Sequence, residues 1–234
     1  MMTESGEVLQ VMQTEATSSR REQSFKECTL NFLEKTFALE EVRTLPALEA
    51  WLAMSADLSD FEMQQLRYLR DILAFNVHDW NEYELDSHFI GPIFTFVNFS
   101  SKKFNHFAQR ELTGFVEGYR LFGKPDGLIA SGRREPEKPF FAFQEYKRQL
   151  DPTGDPAAQA LAAMLVGQQL DVRQKPLYGC YVVGYDWRFM ALEGKQYAIS
   201  QDYSALTDDI FAIFRILKAL KAIIIQYTEA HDVG

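Results

Sequence analysis

Residues 123–159 read GKPDGLIASGRREPEKPFFAFQEYKRQLDPTGDPAAQ. A Pro-Asp step leads into an apolar run, a short polar loop follows, and a second apolar run ends in Glu145-Tyr146-Lys147. Phe140, Phe141, Ala142 and Phe143, with Pro139 just ahead, are too short and too aromatic for a helix and read as a buried strand. Side chains alternate along a strand, so Glu145 and Lys147 point the same way, with Phe141 and Phe143 behind them. On the first run Asp126 shares its face with Leu128 and Ala130, and Gly127 lets another backbone come close. The linker SGRREPEK suits a loop between adjacent antiparallel strands. Antiparallel neighbours would bring Asp126 near Glu145, so that Asp126, Glu145 and Lys147 converge at one end of a sheet.

Those residue types fit one chemistry. Mg²⁺ favours oxygen ligands and takes one or two carboxylates, leaving waters and phosphate oxygens to complete its shell. The cation polarises a phosphorus–oxygen bond and lowers the pKa of a bound water. A lysine beside a ligand can orient that water and offset charge in the transition state. Taken alone, Glu-x-Lys is an ordinary charged pair at a strand end. The Pro-Asp step upstream, on a second strand-like run, is what points to a site.

The Pro125-Asp126 step followed by Glu145-Tyr146-Lys147 resembles the PD-(D/E)XK nuclease superfamily. What the resemblance implies is a restriction-endonuclease-like α/β (α+β) fold, a mixed central sheet flanked by helices, and Mg²⁺-dependent nuclease activity with Mn²⁺ as a substitute. It implies metal ligation by Asp126, Glu145 and the backbone carbonyl of Tyr146, with Lys147 positioning the nucleophile. It also implies a further carboxylate on the helix ahead of the sheet, and often a glutamine on the helix after it. The segment WNEYELDSHFIGPIFTFV, residues 80–97, looks like the Asn-Glu-rich helix of bacterial members, with Ile90 and Pro92 at the expected spacing. At about 100° per residue, Leu85, Phe89, Ile93 and Phe96 form one stripe that includes Glu82. Glu84 falls on the far side and Asp86 near the margin. A carboxylate in an apolar stripe is costly unless paired or bound to metal, which selects Glu82, either direct or through water. A glutamate in the first turn, favoured by the macrodipole, is the other reading of Glu82. Pro92 should kink or end this helix. The glutamine is Gln159, in the first turn of AAQALAAMLVGQQL, which Asp155 caps with Pro156 at its first position. It either supports the site or is an ordinary surface glutamine.

The 234 residues, 47% of them hydrophobic, suffice for one domain with an elaboration. Residues 1–22 are polar and aperiodic and read as a disordered tail. A helical extension is expected over 23–78, with Ser59 as a cap, and the nuclease-like core over 79–234. Strands are expected within 104–131, over 139–147 and within 176–200. A long C-terminal helix is expected at about 204–228. That helix carries Leu206, Ile210, Ile213, Leu217, Leu220, Ile224 and Tyr227 at spacings of four and three, widened by Phe211, Phe214, Ile223 and Ile225. Such a face packs on the sheet or covers a twofold partner, which leaves a homodimer through this helix open. No signal-peptide pattern and no run of roughly 18 apolar residues occurs, so no membrane contact and a cytoplasmic location are expected.

Cys28 and Cys180 sit in apolar contexts and read as reduced, buried thiols. Cys/His clustering for zinc, a Gly-x-Ser-x-Gly elbow, a Walker loop and a dinucleotide fingerprint are all lacking. The net charge of −9 does not suit a long phosphate footprint. Basic residues nevertheless outnumber acidic ones between Ser101 and Gln149. Lys102, Lys103, Lys124, Arg133, Arg134 and Arg148 are the candidate contacts to nucleic acid, with DNA the expected polymer. The expected function is Mg²⁺-dependent phosphodiester hydrolysis. The alternative is a weak or inactive protein of the same fold that binds nucleic acid or protein.

Overall fold

The computed structural model describes residues 21–150, 152–171 and 173–229. The tail expected over residues 1–22 lies outside them, except that Arg21 and Glu22 open the first strand. In chain order come β1 (Arg21–Ser24), a 3₁₀ turn (Phe25–Glu27), α1 (Leu30–Phe37), β2 (Glu40–Glu41), α2 (Pro46–Ala53) and α3 (Asp60–Asn76). A second helical stretch comes next: α4 (Glu82–Leu85), a π turn (Asp86–Ile90) and α5 (Gly91–Val97). Then run β3 (Asn105–Ala108), β4 (Leu112–Val116), β5 (Tyr119–Gly123), β6 (Gly127–Ser131), β7 (Glu137–Lys147) and α6 (Pro156–Leu170). The chain closes with β8 (Leu177–Val183), β9 (Asp186–Glu193), β10 (Gln196–Ile199), β11 (Tyr203–Ser204) and α7 (Asp209–Glu229).

The strands make an open mixed sheet in the order β2-β10-β9-β8-β7-β6-β3, with β11 on β9, and a small sheet β1-β5-β4. In the large sheet β7 and β8 are parallel, joined through α6, as a parallel pair requires a crossover. One face is covered by α2, α3, the 82–97 stretch and α7, whose side chains enclose Trp51, Phe89, Phe94, Trp187 and Phe214. The other face packs on α6, which is buried along its length and lies against β4 and β5 of the small sheet. The N-terminal segment therefore supplies strands as well as helices: β1 pairs with β5 and β2 with β10. Ser59 caps α3 as read from the sequence, accepting from Glu62 N–H while Glu62 Oε2 accepts from Ser59 N–H at 2.7 Å.

Two expectations change. At Pro92, where a kink or an end is expected, the helix does not end: a π turn stands just ahead of the proline and the helix runs on to Val97. A proline ring clashes with the carbonyl four residues back, and the π turn just ahead widens the backbone there, with Gly91 N–H donating to the Asp86 carbonyl. The wider turn rotates the stripe, so Ile90, Phe94 and Val97 join Leu85, Phe89 and Ile93 in the core. In β7 a bulge opposite Ile129 and Ala130 turns Phe141 to the face away from Phe143. The apolar face of α7 is covered within its own chain. Ile210, Ile213, Phe214, Leu217, Leu220 and Ile224 are buried, and the Ile216 carbonyl accepts from Trp51 Nε1–H at 2.8 Å. Cys28 and Cys180 are buried and free, and among the described residues no helix is long and apolar enough to cross a membrane.

At Gly127 it is side chains that come close. A Cβ there would lie 2.1 Å from Gln144 Oε1 and 2.7 Å from His106 Nε2. Those two groups are hydrogen-bonded at 3.2 Å, and His106 is stacked on Phe94 with ring centroids 5.0 Å apart. To yield, the pair would have to give up that hydrogen bond or that stacking. Gly127→Ala should therefore cost about 1–3 kcal/mol of stability, visible as a lower urea midpoint at unchanged slope. An unchanged midpoint would mean that the pair can step aside.

Candidate functional site

β6 and β7 are antiparallel, with Gly127 opposite Gln144, so the next pair outward is Asp126 and Glu145. Opposed residues share a face, and Asp126 is near enough for its charge to act on Glu145. Asp126 is fixed by its Oδ2, which accepts from Tyr146 N–H at 2.8 Å. Glu145 and Lys147 are both buried, and Lys147 Nζ donates to Glu145 Oε1 at 2.8 Å. The same ammonium is 3.9 Å from Glu82 Oε1. Two strands and one helix thus bring Asp126, Glu145, Lys147 and Glu82 together.

Glu82 arrives for a different reason from the one the apolar stripe offers. Its side chain is 47% exposed. It is the first residue of α4, after the cap Asn81, and from the helix end it faces Lys147. Glu84 is occupied elsewhere: its Oε2 accepts from Asn81 N–H at 2.9 Å, closing a capping box. Asp86, which the stripe leaves at its margin, belongs to the site. It lines a cavity of about 170 Å³ together with Glu82, Tyr83, Gln109, Asp126 and Tyr146. Its spacing of four from Glu82, one helical turn, is the signal that could have found it. The Tyr146 phenol oxygen is buried with no hydrogen-bond partner. Among the described residues, no three His, Cys, Asp or Glu side chains stand close enough together to hold an ion as they are.

Burial dominates the electrostatics. It raises the pKa of Asp126, which Tyr146 N–H and Lys147 oppose. It raises Asp86 as well, with Asp126 adding to the effect. Glu145 is pushed up to about 7, first by burial and then by the charge of Asp126. Burial alone would favour neutral Lys147, yet Glu145 beside it holds the ammonium above its ordinary value.

Gln159 is no surface residue. It is 4% exposed, at the start of α6, with its amide packed against Gly154. It makes no hydrogen bond to Lys147. Asp155 caps α6 through Ala158 N–H at 3.0 Å, as expected. A row missed in the sequence runs from Glu145 to Tyr181 on β8 and Arg188 on β9. Arg188 donates to the Tyr181 hydroxyl at 2.9 Å, is ion-paired with Asp202, and its side chain is 43% exposed. Register alone would have given this row, and register across β8 and β9 is not written in local pattern.

The basic residues divide. Lys124 and Arg148 flank the carboxylates in sequence and are exposed, with Lys124 paired to Glu111 at 3.2 Å. The 132–136 loop bearing Arg133 and Arg134 follows the opposite end of β6, roughly 13 Å of strand away. Lys102 and Lys103 precede β3, whose Asn105 pairs with Ala130 at that same far end. Four of the six expected contacts therefore lie away from the carboxylates, because β6 runs between them.

No protein-family model and no curated protein matches the chain.

For Glu145 the folded value exceeds the ordinary carboxylate value. Its contribution to stability is therefore full below the ordinary range and is lost as pH rises towards about 7. A ¹³C carboxyl titration should find Glu145 with a midpoint near 7, moving down in Asp126→Asn because the like charge is gone. A midpoint that stays put would mean that Asp126 does not act on Glu145.

Proposed function

We propose that this chain is a Mg²⁺-dependent nuclease of the PD-(D/E)XK superfamily, with the restriction-endonuclease-like fold, that hydrolyses phosphodiester bonds in DNA. The observation that carries the proposal is the opposition of Asp126 and Glu145 across β6 and β7, with Lys147 bridging Glu145 and Glu82. The mixed sheet with helices on both faces supports the same fold.

The donor set fits a hard cation, since Asp126, Glu145, Glu82 and Asp86 offer only oxygen. Asp126 and Glu145 would hold Mg²⁺, or Mn²⁺ in its stead, with the Tyr146 carbonyl, and Glu82 would complete the shell directly or through water. When bound, the cation polarises the scissile phosphate and makes water more acidic. Tyr146 N–H keeps Asp126 aimed at Glu145 throughout. Lys147 is already charged and already desolvated; its remaining N–H groups orient the attacking water and stabilise negative charge gathering on the phosphate oxygens. Gln159, buried at the start of α6, supports the site from behind by packing. Lys124 and Arg148 are suited to phosphates flanking the cut, with Lys102, Lys103, Arg133 and Arg134 further along the polymer.

The second reading is a nuclease-fold protein that binds nucleic acid or protein with little turnover. The pairing of Glu145 with Lys147 favours it, since a cation must compete with the ammonium for that oxygen. Incubation with plasmid and single-stranded DNA in Mg²⁺ or Mn²⁺ separates the two. Cleavage should be seen with the wild type and fall by at least about 10²-fold in Asp126→Ala and Lys147→Ala, with both variants folded by circular dichroism. Calorimetric Mn²⁺ titration should lose its heat in Asp126→Ala. Equal activity in wild type and variants would sink the proposal, and DNA retention without cleavage would favour the second reading.

A further inference from the structure

At the rim of the 170 Å³ cavity stands Tyr83, between Glu82 and Asp86 in sequence and 78% exposed. Among the described residues its ring meets no other ring and its hydroxyl has no hydrogen-bond partner. A large ring so exposed contributes little to folding, and it lines the cavity that Asp126, Asp86 and Glu82 also line. Gln109 lines the same cavity from the β3–β4 turn, with its backbone in the left-handed region at φ +49° and its N–H donating to the Asp126 carbonyl at 3.0 Å. A non-glycine residue held in that region at a cavity rim marks a place where side-chain direction matters.

Volume assigns the parts of a ligand. At roughly 30 Å³ per water, the cavity takes only a handful of water-sized groups, enough for a hydrated cation and the oxygens of one phosphate. A base attached to that phosphate stays outside, at the rim, where Tyr83 offers an open aromatic face and Gln109 an amide. In a duplex each base is already stacked between neighbours, and its faces are closed to a side chain. An unpaired base has a free face, and stacking on an aromatic ring is how proteins hold single strands.

We propose that Tyr83 stacks on the base next to the scissile phosphate, making unpaired, single-stranded nucleic acid the preferred substrate. This rests on the hydrolase reading of Asp126, Glu145 and Lys147. A tyrosine stack tolerates any base, so preference for sequence should be weak while preference for strand state is strong. Gln109 then acts on the edge of the stacked base.

The experiment compares kcat and KM on a single-stranded oligonucleotide and on its blunt duplex, for wild type, Tyr83→Ala and Tyr83→Phe. The wild type should cleave the single strand with the lower KM. Tyr83→Ala should raise that KM about tenfold, the size of one base–aromatic stack, with little change in kcat, and Tyr83→Phe should restore it. The same wild type and Tyr83→Phe, but not Tyr83→Ala, should quench 2-aminopurine in a bound single strand. Unchanged KM and quenching in Tyr83→Ala, or equal cleavage of duplex by the wild type, would overturn the stacking while leaving the hydrolase standing. A wild type that cleaves neither polymer would overturn the hydrolase reading, and the substrate preference with it. The exposure of Tyr83 keeps both variants foldable.

Discussion

The site depends on one register: β6 against β7, antiparallel, with Gly127 opposite Gln144. A slip of one residue would send Asp126 and Glu145 to opposite faces. The hydrogen bond from Tyr146 N–H to Asp126 Oδ2 extends the ladder by a side chain where the backbone pairing ends. It therefore does two things at once, locking the register and orienting a carboxylate. The hydrophobic pattern defends the same register, since Leu128 and Phe143 must both meet α6 while Ile129 and Ala142 meet the helices opposite.

Around that register the molecule accepts an electrostatic cost. Asp126, Glu145 and Asp86 are raised by burial, and Lys147 holds its charge against burial through Glu145 in contact with it, with Glu82 and Asp126 adding to the effect. A core built for stability alone would put apolar side chains there. The compensation comes from neighbouring layers: α6, buried along its length on one side, and the aromatic packing of Trp51, Phe89, Phe94 and Trp187 on the other. Clusters of this kind, with pKa values displaced in a cleft, are where function is sought in an unfamiliar structure.

How much the sequence disclosed depends on the reach of its signals. Pro125-Asp126, the apolar runs and the Glu145-Tyr146-Lys147 end are local, and alternation carried them to the correct face. Phe141 escaped because a bulge adds a residue where the pattern shows none. Asp86 escaped because the stripe was drawn on apolar residues, which leave it at the margin although it stands one helical turn from Glu82. Gln159 read as surface or support with equal right, since one polar residue in a helix says nothing about what covers it, and α6 proves to be covered on every side. The basic residues counted together in sequence separate in space, because β6 runs between them. The breadth of the α7 stripe was legible, but its partner was not: α2, α3 and α5 of the same chain lie against it.

Asp155 has two oxygens and two masters. Oδ1 holds Ala158 N–H at the start of α6, while Oδ2 holds Leu30 N–H at the start of α1. One carboxylate thereby stitches a helix beside the candidate site to a segment more than a hundred positions earlier. With β1 lying along β5 and Phe25 pressed against Gly123, residues 21–37 are structurally inseparable from the sheets and helices they cover. Any shortened form that begins at residue 79 would bare one edge of the small sheet and strip the outer cover from α6.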